Sequence, residues 1–126
     1  MSLSALKLHE EALEYQQKSL GLREKIYGKE HSVTAIGYHN VGMSLRALGR
    51  NKEALENLQK AFQIRCNNAG ESRLCEYYLK DLIRCLNDQS DWQQCERVKQ
   101  EGLLVCVEKI GKDDPLTQLF REACPK

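Results

Sequence analysis

Apolar residues recur along most of the chain at spacings of three and four positions, which is typical of helices with one packed face. In the segment 51–68 this face is defined by Ala54, Leu58, Ala61, Phe62 and Arg65. Similar segments follow one another from the start of the chain to its end. The pattern predicts helices at 8–27, 32–48, 51–68, 72–87, 91–110 and 115–123.

Glycine and polar residues separate the predicted helices. A glycine just past a helix end tolerates the left-handed conformation that stops the helix. Acidic residues follow three of these glycines, where the dipole of the next helix favours negative charge. The predicted breaks carry Gly28, Gly49, Gly70, Ser90 with Asp91, and Gly111 with Pro115.

The sequence repeats itself about every 42 residues. Residues 11–28 read EALEYQQKSLGLREKIYG, and residues 53–70 read EALENLQKAFQIRCNNAG. Eight of these 18 positions are identical, where about one identity is expected from typical residue frequencies. A weaker copy at 94–111, at an offset of 41, has Cys95 and Gly102 in place of Ala54 and Ala61. Such a period indicates stacked repeats, each of which packs on its neighbours.

The middle copy contains a motif with small residues at defined spacings. It reads Tyr38-x2-Val41-Gly42-x2-Leu45, then Gly49, then Ala54-x3-Leu58-x2-Ala61. This motif resembles the tetratricopeptide repeat (TPR), in which small residues let paired helices approach closely. The lengthened period, with the stretch LREKIYGKEH from Leu22 to His31, is similar to the repeats of kinesin light chains.

The resemblance implies an all-α fold, a right-handed α-solenoid of antiparallel helix pairs with about six helices. It implies one domain over 1–126, made of a half-unit 8–28, a unit 32–70, a degenerate unit 72–111 and a terminal helix 115–123. The third unit departs from the motif at Ile83 in place of Gly42 and at Lys99 in place of Leu58. We therefore expect its helices to pack differently.

The resemblance also implies a peptide-binding groove, because the first helix of each pair lines the concave side of the stack in this family. Of the adjacent Tyr77 and Tyr78, the spacing predicts one at the groove and one packed. The candidate groove residues are Ile36, His39, Asn40, Met43 and Arg46 in the second unit, and Tyr77, Lys80, Asp81, Arg84 and Asn87 in the third.

Lys80 and Arg84 are four positions apart on one helix face, and together they suit a carboxylate or an acidic side chain of a partner. The alternative is a solvated basic pair beside Asp81. The equivalent earlier positions hold His39 and Met43, so the family's carboxylate clamp is incomplete. Asn40 resembles asparagines that bind peptide main chain in the family, or it serves as a local cap.

Composition narrows the classes of partner. Lys and Arg number 19 against 18 Asp and Glu, a net charge of +1, which argues against a general binder of nucleic acid or anionic membrane. No run of 18 apolar residues predicts a membrane span. The six cysteines lack zinc-site spacing and the start of the chain lacks a signal-peptide pattern, so we expect reduced, buried thiols and a cytoplasmic protein.

The sequence offers no catalytic motif, metal site or cofactor site, and we predict a chain that is not an enzyme. Trp92 is interpreted as a partly buried anchor at a helix start. The leading hypothesis is a protein-interaction module, an adaptor or scaffold that binds a peptide of a partner in the groove. The alternative is a structural role, in which uncapped solenoid ends pack against the parent protein or form a homodimer.

Overall fold

The computed structural model describes residues 2–68, 72–89 and 91–123, which are helical with short connecting turns. The helices are α1 (Leu3–Tyr27), α2 (Ser32–Ala47), α3 (Asn51–Asn68), α4 (Ser72–Asn87), α5 (Trp92–Lys109) and α6 (Pro115–Glu122). The predicted all-α class is confirmed, and the six predicted helices are present. The predicted breaks at Gly70 and Ser90 lie outside the described residues.

Only α1 begins at a clearly different place from its prediction, at Leu3 instead of residue 8. The Ser2 hydroxyl accepts a hydrogen bond from the Ala5 backbone N–H at 3.1 Å, which satisfies one of the free donors at the helix start. The prediction relied on apolar periodicity, and a capping side chain does not contribute to that signal.

Helices that are consecutive in sequence are neighbours in space. The most extensive contacts join α2 with α3, followed by α1 with α2 and α3 with α4. The buried side chains form one core that runs through these pairs, with Leu45, Leu58, Phe62, Leu79 and Leu86 at most 1% exposed. This arrangement agrees with the expected stack of helix pairs. Within the described residues, no helix is both long and apolar enough to span a bilayer.

The turns before α2 and before α6 are built alike. Gly28 and Gly111 have φ angles of 87° and 123°, which are left-handed values that favour glycine. Six residues after each glycine, a buried threonine donates its hydroxyl hydrogen bond to that glycine's carbonyl, Thr34 at 2.6 Å and Thr117 at 2.7 Å. Each threonine thus ties the start of one helix to the end of the preceding helix.

The first turns of α2 and α6 are also capped in the same way. The His31 Nδ1 atom accepts a hydrogen bond from the Val33 N–H at 3.0 Å, and the Asp114 Oδ1 atom accepts one from the Leu116 N–H at 2.9 Å. Asp114 therefore caps the N-terminus of α6, and His31 caps the N-terminus of α2 in the same way.

Gly42 allows α2 to lie very close to α3. A Cβ atom at this position would be 2.8 Å from the Leu58 Cγ atom and 3.3 Å from the Ala54 carbonyl oxygen. In the third unit the counterpart Ile83 is buried, and among the described residues α4 and α5 make far fewer close backbone contacts than α2 and α3. The departure from the motif thus coincides with wider helix packing.

Lys99 also has a role that differs from that of its counterpart Leu58. Its Nζ atom donates a hydrogen bond to the Ala123 carbonyl at 2.9 Å, at the C-terminal end of α6. A lysine is favoured there because the end of a helix presents unpaired carbonyl groups and partial negative charge. The substitution replaces a packing contact with a helix cap.

The four cysteine side chains that the structure describes are buried, as the sequence predicted. Burial raises the pKa of the Cys85 thiol to about 11, so this thiol stays protonated. Cys124 and the side chain of Cys75 lie outside the described residues. The buried cysteine side chains are Cys66, Cys85, Cys95 and Cys106.

Replacing Gly42 by alanine should lower the free energy of unfolding by about 1–3 kcal/mol, because the added methyl overpacks the α2–α3 contact. Gly21 is the matched control, since it lies on the exposed side of α1 with open space at its Cβ position. Gly21→Ala should raise the free energy of unfolding by about 0.5–1 kcal/mol. Urea denaturation followed by circular dichroism measures both values. Stabilisation by both substitutions would contradict the close-approach interpretation.

In a Cys75→Ser, Cys124→Ser variant, the four remaining thiols should react with a thiol reagent only as fast as the chain opens. They are buried in the folded state, and their accessibility therefore depends on unfolding. Mass spectrometry of timed labelling, with a fully denatured control, gives the rates. Fast modification of Cys95 under native conditions would show that its packed position is wrong.

Candidate functional site

The candidate residues of the two units lie on neighbouring helices, α2 and α4, which side-chain contacts hold together. The His39 Nε2 atom is 3.1 Å from the Asp81 Oδ2 atom. Seven residues further on along the chain, which is about two helical turns, the Arg46 Nε atom donates a hydrogen bond to the Asp88 Oδ2 atom at 2.8 Å. The partners in each pair are 42 residues apart in the sequence, so one unit is bonded to the next at the interval of the repeat.

The ten candidates divide by exposure into those that support the surface and those that form it. The buried ones are His39 and Asp81, at 8% and 5% exposure. The others are half-buried (Ile36, Asn40, Met43, Arg46) or exposed (Tyr77, Lys80, Arg84, Asn87). A ligand would therefore contact mainly the second group, and the buried pair would fix the distance between the two helices.

Asp81 is the centre of this arrangement. One carboxylate oxygen faces His39, and the other accepts a hydrogen bond from the Arg84 Nη1 atom at 2.9 Å. Arg84 remains 62% exposed in its side chain, but its charge is directed towards a buried carboxylate on the same helix. Lys80, which was grouped with Arg84 from the sequence, lies exposed on α4.

Aromatic rings enclose His39. Its imidazole stacks on Tyr78 with 4.4 Å between ring centroids and 7° between planes, and Tyr77 lies at 5.9 Å in a tilted orientation. The Arg65 guanidinium also lies near Tyr78, 5.8 Å from the ring centroid. Tyr78 is 6% exposed and Tyr77 is 59% exposed, so Tyr78 is the one that packs, and the position of Tyr77 at a groove stays a prediction.

His39 is held in its neutral form by burial. Burial lowers the pKa of His39 below its ordinary value of 6.5, and this effect exceeds the opposing influence of Asp81, which raises the pKa. In the neutral ring Nε2 donates to Asp81, and the buried Nδ1 atom has no hydrogen-bond partner among the described residues. The interaction near pH 7 is thus a hydrogen bond from a neutral imidazole to a carboxylate, and it joins α2 to α4.

The chemistry of this surface suits binding. The ring and carboxylate contacts of His39 are Asp81, Tyr77 and Tyr78, which offer no Ser or Cys nucleophile. Across the described part of the chain, no three His, Cys, Asp or Glu side chains form a cluster that could hold a metal ion. The half-buried and exposed candidates supply amide, aromatic and cationic groups.

Sequence reasoning missed two further bonds between units. The Gln59 Nε2 atom donates to the Glu101 Oε2 atom at 2.7 Å, and the Gln94 Nε2 atom donates to the Lys52 carbonyl at 3.0 Å. In both pairs the separation is again 42 residues, so the repeat interval was the signal that could have found them.

Trp92 was interpreted wrongly as a partly buried anchor, since its side chain is 61% exposed. It stands at the first position of α5, directly after the capping residue Asp91. The fully buried residues of α5 begin one turn later, with Cys95 and Val98.

A family model described as tetratricopeptide repeat matches residues 1–67. The matched region covers α1, α2 and nearly all of α3, which includes the motif from Tyr38 to Ala61. No curated protein matches the chain.

The neutral state of His39 predicts a stability that depends on pH. Below its ordinary value of 6.5 the imidazole gains a proton in the unfolded chain, whereas the folded protein resists protonation down to a lower pH. The free energy of unfolding should therefore decrease as the pH falls from 6.5 towards the folded-state pKa. Urea titrations at a series of pH values measure this slope. His39→Gln should flatten it and His9→Gln should not, and an unchanged slope in His39→Gln would refute the assignment.

Proposed function

The chain belongs to the tetratricopeptide repeat family, and from this premise we propose that it is an interaction module that binds a peptide segment of a partner protein along α2 and α4. Repeats of this family generally mediate protein–protein interaction and form a non-catalytic module. A closer relation to kinesin light chains stays a prediction from the sequence. We also expect an adaptor or scaffold role in the cytoplasm, where buried thiols remain reduced.

The observation that carries the proposal is the bond between His39 and Asp81 across α2 and α4. It fixes two helices side by side, so that half-buried groups of α2 and exposed groups of α4 form one surface. Asn40 supplies an amide that both donates and accepts hydrogen bonds, which suits the main chain of an extended peptide. Tyr77 supplies an exposed ring with an apolar body and a polar tip.

Charge on this surface favours a segment with an acidic residue opposite Lys80. Arg46 and Arg84 are already paired with Asp88 and Asp81. The charge of Arg84 is already partly balanced by Asp81, to which its Nη1 atom donates, so its attraction for a ligand carboxylate is reduced. We therefore assign the acidic contact to Lys80 and a supporting role to Arg84.

The second candidate is a structural role, in which an end of the stack packs against the parent protein or against another copy. This role requires apolar surface at an end of the stack. α1 provides such surface, because Leu22 and Ile26 are 61% and 71% exposed. The candidate predicts dimers whose population rises with protein concentration.

A peptide library that contains acidic and neutral segments tests the leading proposal. Tyr77→Ala and Asn40→Ala should weaken the binding of selected peptides whatever their charge. Lys80→Ala should weaken the binding of acidic peptides about three- to tenfold, which corresponds to about 1 kcal/mol for an exposed ion pair. It should leave unchanged the affinity for peptides in which Glu and Asp are replaced by Gln and Asn. Fluorescence anisotropy gives the dissociation constants.

The matched control for Lys80 is Lys18→Ala, which removes a lysine that is 76% exposed on α1. This substitution should leave peptide affinity unchanged. If Lys80→Ala has no effect on acidic peptides, the acidic contact is wrong. If no library peptide responds to Tyr77→Ala or Asn40→Ala, the proposed surface itself is wrong.

A further inference from the structure

One position on each of α2, α4 and α6 carries an apolar side chain that solvent reaches. It is occupied by Ile36, Tyr77 and Leu119, which follow one another at intervals of 41 and 42 residues. Tyr77 and Leu119 are 59% and 51% exposed, and Ile36 is half-buried. Ile36 and Tyr77 belong to the groove candidates named from the sequence, and Leu119 adds a third helix to them. These three residues are named here the apolar row.

The three residues of the apolar row occupy equivalent places on their helices. In each helix the next residue is buried, and these buried residues are Gly37, Tyr78 and Phe120. The helices α2 and α6 also begin with the same threonine-bonded turn, and Ile36 and Leu119 each lie two residues after the threonine. The side chains of the row therefore leave their helices on the same side.

The apolar row crosses neighbouring helices at one level. The bonds from His39 and from Arg46 to α4 both join residues that are 42 positions apart. Equal separations at two places along the helices require that α2 and α4 run in the same direction. In this register Ile36 is level with Tyr77 to within one residue, and α4 in turn contacts α6. Tyr77 has helices of the stack on both of its sides and is exposed nevertheless, so its exposure is a property of the position.

The spacing of the row selects the conformation of a bound chain. Packed helices lie about 8–10 Å apart, so the row presents one apolar side chain at about this interval. A polyproline II segment has three residues per turn and rises about 9.3 Å per turn, and it therefore presents every third side chain at a matching interval. A β-strand presents the same side about every 6.6 Å, and an α-helix about every 5.4 Å. Neither of these matches the row at each helix.

Polar groups beside the row suit the same kind of segment. One helical turn after the row lie His39, Lys80 and Glu122, of which Lys80 and Glu122 are exposed. Lys80 favours an acidic residue next to the central apolar residue of the segment. A polyproline II segment has no internal hydrogen bonds, so its carbonyl groups are free to accept one from the half-buried amide of Asn40. The polar groups thus leave the apolar row as the feature that sets the spacing.

We propose that the partner segment is a polyproline II chain with an apolar residue at every third position, and that it extends from α2 across α4 to α6. This inference rests on the proposed function, because it names the kind of peptide that the surface of α2 and α4 binds. The central apolar residue lies on Tyr77, and its neighbours lie on Ile36 and Leu119. Prolines between the apolar residues hold the segment in this conformation before it binds, which lowers the entropic cost of binding.

Two peptides of identical composition test the interval. The peptide PPLPELPPLPP has leucine at every third position and a glutamate beside the central leucine, whereas PPLELPLPPPP has leucine at every second position. Both should give the circular dichroism spectrum of polyproline II, because both consist mainly of proline. In a fluorescence anisotropy titration, the first peptide should bind the chain about tenfold more tightly than the second, because only its leucines match the row.

Substitutions in the chain test the row itself. Tyr77→Ala and Leu119→Ala should each weaken the binding of the first peptide about five- to tenfold, because each removes one apolar contact at the interface. The matched control is Leu104→Ala on α5, since Leu104 is 75% exposed and lies outside the row. This variant should bind the first peptide as the unmodified chain does. Circular dichroism of the variants should show the same helical fold, because none of these side chains is buried.

Four results would overturn the proposal: equal affinities for the two peptides, tighter binding of the second peptide, no binding of either, or binding of the first that Leu119→Ala does not weaken. The proposed function is judged separately, by the response of library peptides to Tyr77→Ala and Asn40→Ala. Library peptides that respond to these two substitutions and not to Leu119→Ala would leave the surface of α2 and α4 standing and remove α6 from it.

Discussion

The stack depends on hydrogen bonds between residues that lie one repeat interval apart. His39 bonds to Asp81 and Arg46 bonds to Asp88, and two further bonds have the same separation of 42 residues. A chain of identical units would place like charges opposite one another at such positions. The units must therefore differ in sequence where they touch, and Asp81, Asp88 and Glu101 of the third unit are complementary partners for side chains of the second.

This constraint also shapes the candidate surface. Because Asp81 is committed to His39 and Arg84, it holds the two helices together and is largely removed from contact with a ligand. The groups left to meet a partner are the exposed Tyr77 and Lys80 and the half-buried residues of α2. The surface thus has modest net charge, and shape and main-chain hydrogen bonding would contribute more to recognition than electrostatic attraction.

The helices and their order were largely predictable from the sequence, because periodicity and glycine punctuation are local signals. The start of α1 was missed because a single capping hydroxyl at Ser2 determines it. Exposure was harder to predict: Trp92 was misplaced, and the burial of Asp81 depends on a partner in another unit. The candidate groove residues were named by resemblance and stay a prediction, whereas their division into buried and exposed groups follows from how one unit lies on the next.

The threonine-locked turns at Gly28 and Gly111 have a consequence for how such a chain can evolve. Both turns use the same hydroxyl-to-carbonyl bond and a left-handed glycine, although the helices that flank them have diverged. The segment between them therefore begins and ends with interchangeable junctions. A duplication or deletion of that segment would join compatible ends, so the length of the array can change by whole units while each junction keeps its geometry.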